Sequence, residues 1–327
     1  MKLTEILDKA DEEKTKQRRV EEADKAGILR AGNSGAILPD GSVIGKCHRA
    51  ALARFLGLEP QLYPDNNKKG YFALGLAHEL WVESVVGTMM DKKTQVMLCE
   101  EYIPTKWTTK DGTLVTGRPD MVICNKVSTE PTSGYYVTLA ATAAANPDEY
   151  AVPEIGIELK ALGAANAAAG VWYQGPKTDH LLQSLHYMLE LNLDSYQLFY
   201  SYMGSAIMPW WVKSQFPATY EKILQPFRKE FTLTINKEGF LCYAEVNNRP
   251  TATVIKPQML RDYYQLLTEM KDRKTLYRRH SDKDHTGSSL AFSVCNYCQY
   301  KDACNSSELD YDAWCDVLAR DKLANEV

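Results

Sequence analysis

A chain of 327 residues is long enough to bury a substantial core in one large or two modest domains. Lys and Arg number 38 against 42 acidic residues, a formal charge of -4, which excludes a protein that coats nucleic acid through its overall charge. No apolar run approaches the roughly 18 residues needed to span a bilayer, and Met1-Lys2-Leu3-Thr4-Glu5 is no hydrophobic signal segment, so a cytoplasmic protein without a membrane partner is expected.

In chain order, residues 1–30 are charged and read as a solvent-facing helix or mobile arm, with Lys16, Arg18 and Arg19 able to touch a phosphate backbone. Turn signals at Asn33-Ser34-Gly35 and Pro39-Asp40-Gly41 lead to Ser42, expected to cap a helix through Cys47 that stops at Gly57. Pro60 to Lys69 reads as a polar loop. From Gly70 a second helix is predicted, with Leu74, Ala77, Trp81 and Val85 as its apolar stripe and His78 pointing toward the protein body.

Residues 94–103 read as a strand, and Trp107 to Gly112 as a hairpin turn. Residues 126–153 read as an extra hairpin or excursion on the same sheet. The Gly/Ala-rich stretch 163–177 reads as a flexible flap carrying Trp172 and Tyr173, which either stack on bases or pin the loop to the core. Thr178 or Asp179 caps a helix with Leu181, Leu182, Leu185, Met188 and Leu189 on its apolar side and Gln183 and Tyr187 one turn apart. Tyr196 to Met203 reads as a central strand. Pro209-Trp210-Trp211 opens a second aromatic region, and 231–235 with 240–244 form a hairpin turned at Asn236 to Gly239. A long helix from Pro257 to His280 ends in Lys271, Arg273, Lys274, Arg278 and Arg279, either a DNA-backbone contact or a solvated helix end.

Two segments carry candidate chemistry. Gly117-Arg118-Pro119-Asp120 and Glu158-Leu159-Lys160 both lie in apolar, strand-prone surroundings. A strand alternates its side chains, so Glu158 and Lys160 leave one face while Ile157 and Leu159 leave the other. If the Asp120 strand lies alongside, two carboxylates and an ammonium converge, the arrangement by which a hard cation is held with room for a phosphodiester and water. The competing reading is that Asp120 begins a turn and Glu158 and Lys160 form the wet face of an edge strand.

Eight cysteines in such a chain read as ligands, catalysts or buried small residues. Cys295, Cys298 and Cys304 are spaced to meet at one centre, and four thiolates suit zinc or an iron-sulfur cluster. The fourth ligand would come from Cys47, Cys99, Cys124, Cys242 or Cys315.

Taken in order, His78, Gly117-Arg118-Pro119-Asp120, Glu158-x-Lys160 and Gln183-x-x-x-Tyr187 resemble the motifs of the PD-(D/E)XK nucleases, closest to the RecB-like branch that includes CRISPR-associated and recombination exonucleases. The resemblance spans roughly residues 47–304. It implies an α/β, restriction-endonuclease-like core with a central mixed sheet flanked by helices. It implies Mg²⁺ or Mn²⁺ on His78, Asp120, Glu158 and the Leu159 carbonyl, water served by Lys160, and a supporting, DNA-contacting pair in Gln183 and Tyr187. In the iron-sulfur subgroup one upstream and three C-terminal cysteines hold a [4Fe-4S] cluster, which implies Cys47, Cys295, Cys298 and Cys304 here, with structural Zn²⁺ the alternative, stapling the N-terminal helix to the C-terminal loop.

The expected organisation is an arm (1–30), one nuclease domain (31–308) with insertions near 126–153, 163–177 and 205–256, and a tail (309–327). The expected function is a DNA exonuclease leaving 5′ phosphates in recombination, repair or phage DNA processing, within the host cytoplasm if phage-encoded. Its partners would be DNA, single-stranded or with a free end, and a recombination or replication protein. A structure-selective or nicking endonuclease and a non-catalytic DNA-binding assembly module are the alternatives. The long stretch between Asp120 and Glu158, the Gly/Ala segment and residues 205–256 depart from the compact family pattern.

Overall fold

The structure, a computed structural model, describes residues 27–58, 66–99, 105–138, 150–163, 165–202, 228–277 and 310–324. The expectations for residues 1–26 of the N-terminal arm, for Pro209-Trp210-Trp211, for Arg278 and Arg279, and for Cys295, Cys298 and Cys304 lie outside these residues; the end of the expected arm is instead part of the fold, with Leu29 buried in a short strand.

The longest strand, β9 (Tyr150–Leu162), runs through the middle of an eight-stranded mixed sheet. It pairs antiparallel with β7 (Met121–Val127), whose other edge carries β4 (Gln95–Cys99). On its other side it pairs parallel with β10 (Ser195–Tyr202), and a parallel pair needs a crossover rather than a hairpin. The crossover contains α3 (Ala165–Gln174) and α4 (Thr178–Glu190). The sheet continues antiparallel through β11 (Arg228–Ile235), β12 (Leu241–Glu245) and the short β13 (Thr251–Ala252). The two-residue β8 (Val137–Thr138) also pairs with β9, so part of the 126–153 segment is an excursion on the same sheet.

The β11–β12 hairpin turns at Asn236 to Gly239 as expected: the Asn236 side chain accepts hydrogen bonds from the backbone N–H groups of Glu238 and Phe240. The turn after Trp107 also forms, but it joins β5 (Thr105–Thr108) to β6 (Leu114–Gly117) in a separate three-stranded sheet with β1 (Leu29–Arg30).

Four expectations are corrected. Ser42 does not cap a helix. Its hydroxyl donates to Asp40 in the turn before β3 (Val43–Gly45), which pairs with β2 (Gly35–Ile37); α1 (His48–Phe55) starts later, with Cys47 at its N-cap. Neither Thr178 nor Asp179 occupies the N-cap of α4; Lys177 does, and Asp179 forms an ion pair with Lys46 at 2.9 Å. The supposed flap is the helix α3, its Ala run favouring helix and its Ala168 and Val171 packing in the core. The supposed C-terminal tail contains α6 (Tyr311–Ala324), which buries Trp314 and Leu318 completely.

α5 (Pro257–Asp272) buries Leu260, Tyr263, Tyr264, Leu267 and Met270. The basic residues that follow are engaged with the protein. Lys271 lies over the Phe55 ring, Arg273 faces Glu269 and Lys274 faces Asp312. α5 is joined tightly to the start of the chain. A Cβ on Gly35 would sit 2.3 Å from the Tyr263 ring, Ser34 bonds the Tyr264 hydroxyl at 2.6 Å, and buried Arg49 donates twice to the Tyr277 carbonyl.

Candidate active site

Register decides which side chains meet. Met121 pairs with Ile157 across β7 and β9, so Asp120, just before β7, arrives opposite Glu158. Its Oδ2 accepts a 2.6 Å hydrogen bond from the Leu159 N–H. Glu158 is completely buried and Lys160 is the next residue on its face, where its ammonium donates to Glu158 Oε1. The wet-edge reading is therefore excluded: β9 is central and Glu158 has no solvent contact.

β10 places Leu198 and Tyr200 beside Glu158 and Lys160 on the face covered by α4. Tyr187 stacks on Tyr196 with centroids 6.1 Å apart and accepts a 3.1 Å hydrogen bond from Gln183 Nε2. Burial, reinforced by the neighbouring Glu158 charge, raises the Tyr187 pKa far above its ordinary value. Tyr187 is a buried support beneath the carboxylates, not an exposed DNA contact. Gly156 serves the same packing, since a Cβ there would lie 2.2 Å from the Tyr196 ring.

The opposite face is covered by α2 (Asn66–Met89). Phe199 pairs with Leu159, on the face away from Glu158, and the His78 ring stacks on it with centroids 6.5 Å apart. His78 is buried, as expected, and its Nε2 has no hydrogen-bond partner. Burial, then the Arg228 charge, lowers its pKa, so the ring is a neutral donor set for a cation or a proton.

The α2 residue that reaches the carboxylates is Glu79, hydrogen-bonded to Asp120 and electrostatically coupled to Glu158. One turn on, Glu83 accepts a hydrogen bond from the Cys99 thiol; burial, with Asp120 adding to it, raises the Glu83 pKa. Sequence reasoning missed both glutamates, although their i, i+4 spacing beside His78 was a usable signal.

The stripe Leu74, Ala77, Trp81 and Val85 is corrected in its orientation. Ala77, Trp81 and Val85 face solvent, while Gly75, His78, Glu79, Val82, Glu83, Val86 and Gly87 form the covered face. Gly75 and Gly87 lie on this face, where a Cβ would make only ordinary contact, 3.8 Å from Ala161 and 3.6 Å from Met97.

Charge in the pocket is unbalanced. Burial is the main force raising the Asp120 pKa, opposed by Lys160 and the Leu159 N–H. Burial, then repulsion from Asp120, pushes Glu158 up to about 8. For Lys160, burial favours the neutral amine, but Glu158 and Asp120 outweigh it and hold the side chain as an ammonium. A carboxyl–carboxyl hydrogen bond such as Glu79–Asp120 requires one proton between its partners.

A divalent cation fits this donor set. Glu158 Oε2 is a buried acceptor without a partner, and the protons and ammonium held here are what a cation would replace. Among the described residues no three His, Cys, Asp or Glu side chains stand close enough to hold a metal alone. Mg²⁺ needs only one or two carboxylates, completing its octahedron with water and phosphate oxygens.

Of the four cysteines assigned to a cluster, only Cys47 is described; it is half-buried beside Tyr263. Cys124 and Cys242 are buried and pack as small core residues.

No protein-family model matches the chain, and no curated protein matches it significantly. Among solved structures, the crystal structure of SSO0001 aligns over 93% of this chain and 96% of its own at 12% identity, with a TM-score of 0.43. A likeness at that level does not establish a common fold. No described helix is long and apolar enough to cross a membrane.

Proposed function

We propose that the chain is a metal-dependent deoxyribonuclease that hydrolyses DNA from a free end and leaves 5′ phosphates, serving recombination, repair or phage DNA processing. The observation that carries this reading is the buried Asp120–Glu158 pair, with an unpartnered Glu158 oxygen and Lys160 as its compensating cation. Asp120, Glu158 and the Leu159 carbonyl would hold Mg²⁺ or Mn²⁺, backed by Glu79 of α2 through its hydrogen bond to Asp120, while His78, expected as a ligand, is stacked on Phe199 on the other face of the sheet. The ion would polarise the scissile phosphate and stabilise the leaving 3′ oxygen.

The protein's own groups do the rest. Lys160, an ammonium in the metal-free site, would turn from Glu158 to offset charge on the phosphoryl oxygens, and the attacking water, its pKa lowered by the ion, would give its proton to solvent. The Leu159 N–H fixes the Asp120 carboxylate, and the Gln183–Tyr187 pair holds the floor under Glu158. Cys47, Cys295, Cys298 and Cys304 would hold a [4Fe-4S] cluster, or Zn²⁺, in a structural role.

The test is digestion of end-labelled single-stranded, duplex and circular DNA with Mg²⁺ and with Mn²⁺. Cleavage of linear DNA, lost in Glu158→Gln and Lys160→Ala, is the expected result, and circular DNA should resist. No cleavage of any DNA under either metal overturns the reading. Iron and sulfide analysis of anaerobically purified protein identifies the group on the cysteines.

A further inference from the structure

α2 is turned so that its larger apolar side chains meet water: Leu76, Leu80, Trp81, Val85 and Met89 are all exposed, Trp81 by 46%. A bare apolar face says little about what covers it. At Trp81, however, the structure is more specific than a patch.

The indole stacks on His78 with centroids 5.8 Å apart and planes 28° apart. His78 stacks in turn on Phe199, 6.5 Å away at 17°. The Arg228 guanidinium lies over the indole, 4.8 Å from its centroid. Arg228 pairs with Ser201, two residues along β10 from Phe199, so both project from the same sheet face. Three near-parallel rings therefore run outward from the sheet. The innermost is fixed on β10, the middle one is buried, and the outermost is half in solvent beside a cation.

We propose that the Trp81–Arg228 shelf binds a nucleobase of single-stranded DNA, the base taking the place of the guanidinium over the indole while Arg228 moves to the adjoining phosphate; this rests on the nuclease reading for the identity of its occupant. Every base has a π face, so stacking on an aromatic side chain is tolerant of sequence and contributes about 1–3 kcal/mol per base. A guanidinium both stacks and binds phosphate through its planar donor fork. A purely apolar partner would leave that charge unused.

The position also fits. Glu79, between His78 and Trp81 in sequence, is the residue bonded to Asp120, so one turn of α2 links the shelf to the carboxylates. Bases paired inside a duplex offer no free face, so the shelf selects unpaired DNA.

The test is equilibrium binding of the full chain to fluorescein-labelled oligo-dT and to a blunt duplex, in EDTA so that no cleavage intervenes. Trp81→Ala and Trp81→Leu should each weaken oligo-dT binding about tenfold, Trp81→Phe should retain most of it, and duplex binding should be unchanged. Trp81→Leu keeps apolar bulk without a flat ring, which separates stacking from packing. Arg228→Gln should reduce the slope of log affinity against log salt by about 0.7. Wild-type affinity in Trp81→Leu, or equal losses for oligo-dT and duplex, overturns the shelf even if the protein cleaves DNA. Trp81-dependent binding by a protein that cleaves nothing upholds the shelf and overturns the nuclease reading alone.

Discussion

Two helices cover the same central sheet in opposite senses. α4 buries its apolar side: Leu181, Leu182, Leu185 and Met188 are all enclosed, Leu182 against Gly45 of β3, while Tyr187 and His180 meet Tyr196 and Tyr200 of the sheet. α2 instead puts His78, Glu79 and Glu83 on its covered side and leaves Leu80, Trp81 and Met89 in water. A helix selected only for stability would have the second arrangement reversed. The difference teaches that α4 holds the sheet together while α2 delivers polar groups to the end of β7, at the expense of its own packing.

That contrast can be broken most severely at Lys160, on the α4 side. On the proposed reading, Lys160→Ala should lower the DNA cleavage rate by about 10²–10³-fold, read from single-turnover digestion, because the phosphoryl transition state loses a donor. Next come the apolar residues. Leu185→Ala, fully buried, should lower unfolding free energy by about 2–5 kcal/mol in urea titration, whereas Leu80→Ala on α2 should change it by less than about 0.5 kcal/mol. Equal effects at the two sites would erase the distinction.

On the α2 side, Glu79→Gln should weaken Mn²⁺ binding about 10–100-fold in calorimetric titration, as loss of an outer partner of a ligating carboxylate does. Smaller again is the pH response of metal-free protein. The Glu158 carboxyl rises from 4.5 unfolded to about 8 folded, so its contribution is complete below pH 4.5 and is lost as pH rises toward 8. The melting temperature of Glu158→Gln minus that of wild type, both in EDTA, should therefore grow across that interval. Added Mn²⁺ should recover the wild type most at the alkaline end, because the cation requires the carboxylate.

The meeting of Asp120, Glu158 and Lys160 was legible in the sequence because strand parity is a strict rule: two residues apart means one face, and the flanking apolar residues marked both strands. Gln183 and Tyr187 followed from helical spacing for the same reason. The orientation of α2 was not legible from Leu74, Ala77, Trp81 and Val85. Periodicity reveals that a stripe exists, not whether sheet or solvent takes it. The Ala-rich stretch that became α3 was misread through its flanking glycines. What anchors it is remote in sequence: Lys229 on β11 donates to the Trp172 carbonyl at 2.7 Å, lies over the Trp172 ring and pairs with Glu245.

The union of Arg49 with the Tyr277 carbonyl, 228 residues later in the chain, bears on how the protein is made. At ribosomal speeds of about 5–20 residues per second, the first hairpin and α1 emerge roughly ten to forty seconds before the partner that completes them. During that interval Leu52 and Phe55 have no α5 to cover them, and a nascent chain in this state is a substrate for chaperones. Folding that must close so long a loop is slow, so the native packing should appear late, after α5 has left the exit tunnel.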